Sequence, residues 1–167
     1  SGIFRPVNRI DKNTSGLVLC AKNAFAAPLL AGSAHKCYLA IVQGTMPLGP
    51  GRVEAPIARR GDSIIGRCVC ADGKYSLTEY AVLAAGPGHS LLACWPRTGR
   101  THQIRVQFAS RRHPLYGDGK YGSRQKGSIA LQSCGLRFVH PDTGKPMAFS
   151  LPLPAAAPWR EFLELGE

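Results

Sequence analysis

A chain of 167 residues with 44% apolar side chains is long enough for one domain with a full hydrophobic core, which sets aside the disordered and fibrous classes. Lys and Arg number 21 against 10 Asp and Glu, and this net charge of +11 favours a polyanionic partner, nucleic acid first, over a small anionic substrate or plain solubility. No stretch approaches the roughly 20 apolar residues that span a bilayer and no basic-then-apolar signal segment opens the chain, so the reading is cytoplasmic with no membrane partner.

Ser1-Gly2 resembles the remnant of a cleaved tag, and the first element follows abruptly. In Pro6 to Leu17 a single carboxylate, Asp11, stands between Arg9 and Lys12 and runs into the turn residues Asn13-Thr14-Ser15-Gly16. The apolar run Leu17 to Ala21 predicts a buried strand, which puts Asp11 on a loop held by a rigid element, where catalytic groups are often found. The same residues also suit an ordinary turn in which the carboxylate only accepts backbone N–H bonds.

Asn23 to Ala34 predicts a short helix with Asn23 as cap and Pro28 restricting its start. Lys36 to Gly44 predicts a central strand, with Tyr38, Ala40 and Val42 on one face and Cys37, Leu39 and Ile41 on the other. Met46 to Gly73, broken by prolines and glycines and carrying Arg52, Arg59, Arg60 and Arg67, reads as an irregular basic excursion with one strand over Ser63 to Cys70. Leu77 to Ala84 and Ser90 to Trp95 predict a hairpin about the turn 85–89.

Thr98-Gly99 predicts a turn and Thr101 the cap of a helix reaching Arg112, where Pro114 ends it. Arg105 falls on the face next to the apolar stripe of Ile104 and Phe108, from which an arginine can point inward. The glycines of His113 to Gly122 are too irregular for a phosphate fingerprint and suit a loop that ties this helix back to the sheet. Ala130 to His140 and Met147 to Phe149 predict a second hairpin about Pro141-Asp142-Thr143-Gly144, and Pro158 starts a terminal helix with Trp159, Phe162 and Leu163 on one side. No repeat and no interdomain linker interrupts the chain.

The cysteines, Cys20, Cys37, Cys68, Cys70, Cys94 and Cys134, are scattered through apolar segments, which favours free thiols packed in the core. Cys68-x-Cys70 puts two thiols on one strand face without a third or fourth ligand, so no metal is expected.

Separated segments of the chain match, in order, the RluA-type pseudouridine synthases. Asn8-Arg9-Ile10-Asp11-Lys12-Asn13-Thr14-Ser15-Gly16 resembles the family's aspartate motif, with Asn8 where histidine is usual and Ile10 where leucine is. Lys36 to Ala40 and Thr98 to Arg105 resemble its tyrosine and arginine motifs. His113-Pro114 through Gly122, and Phe138 through Pro154, extend the match over nearly the whole chain.

The resemblance implies isomerisation of uridine to pseudouridine in structured RNA, transfer or ribosomal, with no cofactor and no metal. It implies Asp11 as catalytic carboxylate, Arg105 as its ion-pair partner and Tyr38 as the ring that stacks on uracil. Arg9 takes the place vacated by a flipped nucleotide, and Ile104 or Val106 forms the apolar wall under the ring. Thr14, Arg100, His102 and Gln103 complete the substrate-binding set. His102 and Gln103 admit either a catalytic role or backbone and phosphate contacts, and Asn8 is read as orienting the loop. The expected fold is α+β, the pseudouridine synthase catalytic fold, a twisted and mainly antiparallel sheet flanked by helices with a central cleft. The expected domain is 1–167, a monomer lacking an N-terminal strand and any upstream RNA-binding domain. The alternative is a catalytically impaired RNA-binding fragment.

Overall fold

The computed structural model describes residues 3–164, so Ser1-Gly2 lies outside the described residues. Three two-residue strands open the chain: β1 (Arg5–Pro6), β2 (Ser15–Gly16) and β3 (Cys20–Ala21). The single strand expected over 17–21 is therefore not formed. β1 pairs antiparallel with β3, whereas β2 runs parallel to residues 132–133, so the chain must change ladders between them. Gly16 makes the change, at φ +117 and so close to the Ser133 carbonyl oxygen that any Cβ would collide with it. Leu19 and Ala21 still reach the core, while Val18 stays exposed.

Helix α1 (Ala26–Ser33) begins three residues after Asn23, whose side-chain oxygen accepts the Ala26 N–H at 2.8 Å, and Pro28 sits in the first turn, where its missing N–H costs little. Strand β4 (His35–Gln43) follows. The basic excursion is more regular than its prolines and glycines suggest: β5 (Gly49–Glu54) joins the main sheet, and β6 (Ile57–Arg59) and β7 (Arg67–Val69) form a small ladder of their own. An edge strand tolerates Pro50, and Gly51 leaves room for the Tyr80 ring beside it. Only 67–69 of the strand expected over 63–70 is extended.

β8 (Leu77–Gly86) and β9 (His89–Pro96) run closer to their turn than expected, since Gly88 at φ +80 allows a two-residue link. Helix α2 (Gln103–Ser110) is shorter than expected, and its cap is His102 in the left-handed region at φ 56, not Thr101. The Gln103 side chain organises the preceding turn instead, with Oε1 accepting from the Thr98 hydroxyl at 2.7 Å and from the Arg100 N–H at 3.1 Å. A single 3₁₀ turn (Gly119–Tyr121), β10 (Leu131–Val139), β11 (Pro146–Ser150) and α3 (Arg160–Leu163) complete the chain. In so short a helix Trp159 and Phe162 bury while Leu163 turns out to solvent, against expectation.

The sheet order is β11-β10-β4-β9-β8-β5, antiparallel throughout, with β2 added in parallel beside β10. β4 is central, as its two apolar faces require. Tyr38, Ala40 and Val42 pack with Leu92 against Ile104 and Phe108 of α2, whereas Ile41 and Leu91 pack against Trp159 and Phe162 on the opposite side. A third cluster, Leu19, Ala21, Leu30 and Leu136, fastens the opening segment and α1 to β10. The α+β, mainly antiparallel architecture agrees with the expectation. Cys94 and Cys134 are buried but Cys20 is exposed, so the thiols are free without all being core residues.

Candidate active site

The loop that carries Asp11 is fixed along its length. Val7 N–H donates to the Leu19 carbonyl at 2.7 Å and Leu17 N–H to that of Ser133 at 2.9 Å, while the Thr14 N–H closes a turn on the Asp11 carbonyl at 2.9 Å. Asn8 is 5% exposed and its Oδ1 accepts the Leu19 N–H at 2.7 Å, which is the loop-orienting role read from the sequence. The Asp11 side chain thus projects from an anchored loop, 23% exposed.

Arg105 reaches it from the far side. Its position on α2 points the guanidinium inward, 5% exposed, where burial alone would make the charge costly. Two carboxylates compensate. Nη1 donates to Asp11 Oδ2 at 3.2 Å, while Nε and Nη2 donate to Oδ2 and Oδ1 of Asp118 at 2.7 and 3.0 Å. Burial works against the arginine's charge, but the bonds and charge of Asp118, then of Asp11, outweigh it and raise its pKa further. The Tyr121 ring lies under the guanidinium, 5.1 Å from Cζ to centroid.

Asp11 and Arg105 share an open cleft of about 860 Å³ with Tyr38, on β4, and with the other predicted substrate-binding residues. Tyr38 is 8% exposed, and burial, then the nearby Asp11 charge, pushes its phenol up to about 12, so it is uncharged at neutral pH. Arg9 and Arg100 are exposed at the rim, and Arg100 donates to the Tyr75 carbonyl at 3.1 Å. Thr14 and Ile104 line the wall, and Val106, the other candidate for it, does not reach the cleft. Gln103 also borders the cleft, but its amide is consumed internally: beyond the two bonds to Oε1, Nε2 donates to the Leu77 carbonyl and the Thr78 hydroxyl at 3.0 and 2.9 Å. Its geometry is that of a brace for the turn.

His102 Nδ1 lies 2.6 Å from the Tyr121 hydroxyl, and Nε2 lies 4.0 Å from Asp11 Oδ1. Burial, then the Arg105 charge, holds the imidazole below the usual histidine range, although Asp11 and Asp118 pull the other way. Asp118 and Tyr121 lie within the matched loop from His113 to Gly122 but were given no role from the sequence, because Asp and Tyr among glycines read as turn residues. The available signal was the need for a second counter-ion: a fully buried arginine seldom rests on one partly exposed carboxylate. Lys36 was also passed over; it lines the cleft, and burial lowers its pKa. Among the described residues no group of three or more His, Cys, Asp or Glu side chains is placed to hold a metal ion, and no helix is long and apolar enough to cross a membrane.

Comparison with known proteins places the chain in a family. The chain is 44% identical over 155 residues to the uncharacterized RNA pseudouridine synthase YjbO of Bacillus subtilis (strain 168), covering 89% of this chain and 55% of that protein. It is 37% identical over 173 residues to ribosomal large subunit pseudouridine synthase D of Zymomonas mobilis, covering 92% and 54%. It therefore spans about half the length of these curated relatives. The solved structure of human RNA pseudouridylate synthase domain containing 1 superposes with a TM-score of 0.78 at 28% identity, over 92% of this chain and 70% of that one. The sequence model described as RNA pseudouridylate synthase matches residues 1–110, the part that carries Asp11, Tyr38 and Arg105, and the chain belongs to that family.

Proposed function

We propose that residues 1–167 form a single catalytic domain that converts uridine to pseudouridine in structured RNA, with Asp11 as the reacting carboxylate. The observation that carries this reading is the Arg105–Asp11 pair at 3.2 Å in a cleft that also holds the uncharged Tyr38 ring. The reaction breaks the bond between uracil N1 and the ribose, joins the ribose to C5, and moves the C5 proton; product and substrate have the same atoms and oxidation state. The proposal accordingly assigns no redox carrier, metal or cofactor.

Each side chain has a physical task. Arg105 fixes the rotamer of Asp11 by donating to Oδ2, and Asp118 fixes Arg105 in turn. Tyr38 and Ile104 give the uracil a flat apolar bed from which water is excluded. Arg9 stands where it can fill the gap left by a flipped nucleotide, and Arg100, Lys12 and Thr14 line the approach taken by the backbone. Ribosomal RNA is the first substrate to try because relatives at this level of identity are named for the large ribosomal subunit, and transfer RNA is the second. The protein is proposed to act as a cytoplasmic monomer.

Incubation with ribosomal and transfer RNA, followed by mapping of pseudouridine, tests the proposal. The expected result is new pseudouridine with the native chain and none with Asp11→Asn, RNA binding being retained. Pseudouridine formation that survives Asp11→Asn would remove Asp11 from the reaction. Binding without conversion by the native chain would favour a catalytically impaired RNA-binding fragment.

A further inference from the structure

His102 borders the reacting carboxylate and is held more firmly than a loop histidine needs to be. Its backbone occupies the left-handed region at φ 56, uncommon for residues other than glycine although histidine enters it more readily than most. The ring stands edge-on to that of Tyr121, with centroids 5.6 Å apart and planes at 78°. Its two nitrogens face different partners: Nδ1 the Tyr121 hydroxyl at 2.6 Å, and Nε2 the Asp11 Oδ1 at 4.0 Å.

These contacts favour one tautomer over the other. The Tyr121 oxygen already accepts the Arg67 N–H at 3.2 Å, which leaves its own hydrogen free to donate to Nδ1. An Nδ1–H tautomer would instead turn a bare Nε2 lone pair toward a carboxylate oxygen, an arrangement that is electrostatically unfavourable. Asp11 is asymmetric in the matching sense. Oδ2 accepts from Arg105, whereas Oδ1 has no hydrogen bond among the described residues.

We propose that His102 is a positioning residue: a neutral imidazole, set by Tyr121 in its Nε2–H form, that faces Asp11 Oδ1 and presents this oxygen, and not Oδ2, to the substrate. Its part in turnover rests on the synthase reading above. At 4.0 Å the N–H attracts Oδ1 without taking up its lone pair in a hydrogen bond. An imidazolium would close on the carboxylate as an ion pair and quench it. The groups facing the ring divide accordingly: Arg105 and Lys120 oppose a second positive charge, as burial does, while Asp11 and Asp118 favour it, and the balance keeps the ring neutral.

Nitrogen-15 NMR of the histidine-labelled native chain tests the placement without turnover. The expected spectrum shows protonated Nε2 and bare Nδ1; Tyr121→Phe lowers the Nε2–H population, and Asp11→Asn lowers the His102 pKa by removing the carboxylate's charge. A bare Nε2 in the native chain, or a His102 pKa indifferent to Asp11→Asn, would overturn the proposal. In the kinetic arm, His102→Gln keeps a neutral donor that cannot titrate. It should retain kcat within about tenfold and lose the acid limb of kcat/KM that follows the His102 pKa, whereas His102→Leu should lose kcat by about a hundredfold with KM nearly unchanged. An identical acid limb in His102→Gln would also overturn it. Absence of pseudouridine with the native chain would count against the synthase reading alone, since the NMR arm still decides the tautomer and its contact with Asp11.

Discussion

Arg105 explains why two carboxylates, Asp11 and Asp118, meet at the site. A guanidinium this deeply buried must have its fixed set of donors satisfied, and Asp118, 1% exposed, satisfies two of them in a fork while Asp11 takes a third. Tyr38 offers a measurable consequence of the same crowding. Its phenol ionises near 10 in an unfolded chain and at about 12 in the fold, because of burial first and Asp11 second. The raised value means that the unfolded chain releases this proton first, so the contribution is fully present below pH ~10 and is lost as pH rises toward ~12. Tyr38→Phe should therefore flatten the fall in unfolding free energy over that interval, by about 2 kcal/mol, in denaturant titrations at pH 9 to 12; an unchanged slope would contradict the assigned burial. Asp11, Tyr38 and Arg105 were legible in the sequence because each sits in a distinctive motif. Asp118 was not: its role arises only when a loop brings it onto an arginine on another element.

Helix α2 is joined to the sheet by a polar seam as well as by Ile104 and Phe108. Gln107, fully buried, accepts from the Thr78 hydroxyl at 2.7 Å and donates to the carbonyls of Ser76 and Ala55 at 3.1 and 3.4 Å. Gln103 continues the seam one turn earlier through the same Thr78. Removal of such a group strands buried backbone acceptors, each at about 1–3 kcal/mol. Gln107→Ala should accordingly lower stability by about 2–4 kcal/mol in chemical denaturation; a loss under about 0.5 would mean that the seam is not structural. The long strands and the hairpins were readable from alternation and turn residues. β5 was not, because proline and glycine signal a loop wherever the chain is read without knowing that the strand lies at an edge. The opening strand failed for a related reason, since its register is divided between two partners distant in sequence, residues 5–6 and 132–133.

On the proposed reading, the net charge of +11 and the exposed cations around the cleft make affinity for RNA an electrostatic quantity. Binding should weaken steeply with salt, and Arg9→Ala and Arg100→Ala should each reduce the slope of log K against log salt by about 1, as read by filter binding or fluorescence anisotropy. A slope unaffected by either change would take that residue off the backbone path. The sharing of one guanidinium between Asp11 and Asp118 has the opposite sign from this rim. Of the charged side chains that line the cleft, Asp11 alone is a carboxylate, and the Arg105 guanidinium facing it is shared with the buried Asp118, so on the proposed reading a phosphate is held among Arg9, Lys12 and Arg100 while an uncharged base can pass to Asp11. On the proposed reading the cleft sorts the parts of a single nucleotide by charge, backbone to the cationic rim and base to the floor beside Asp11, and that division helps set the register in which a uridine would enter.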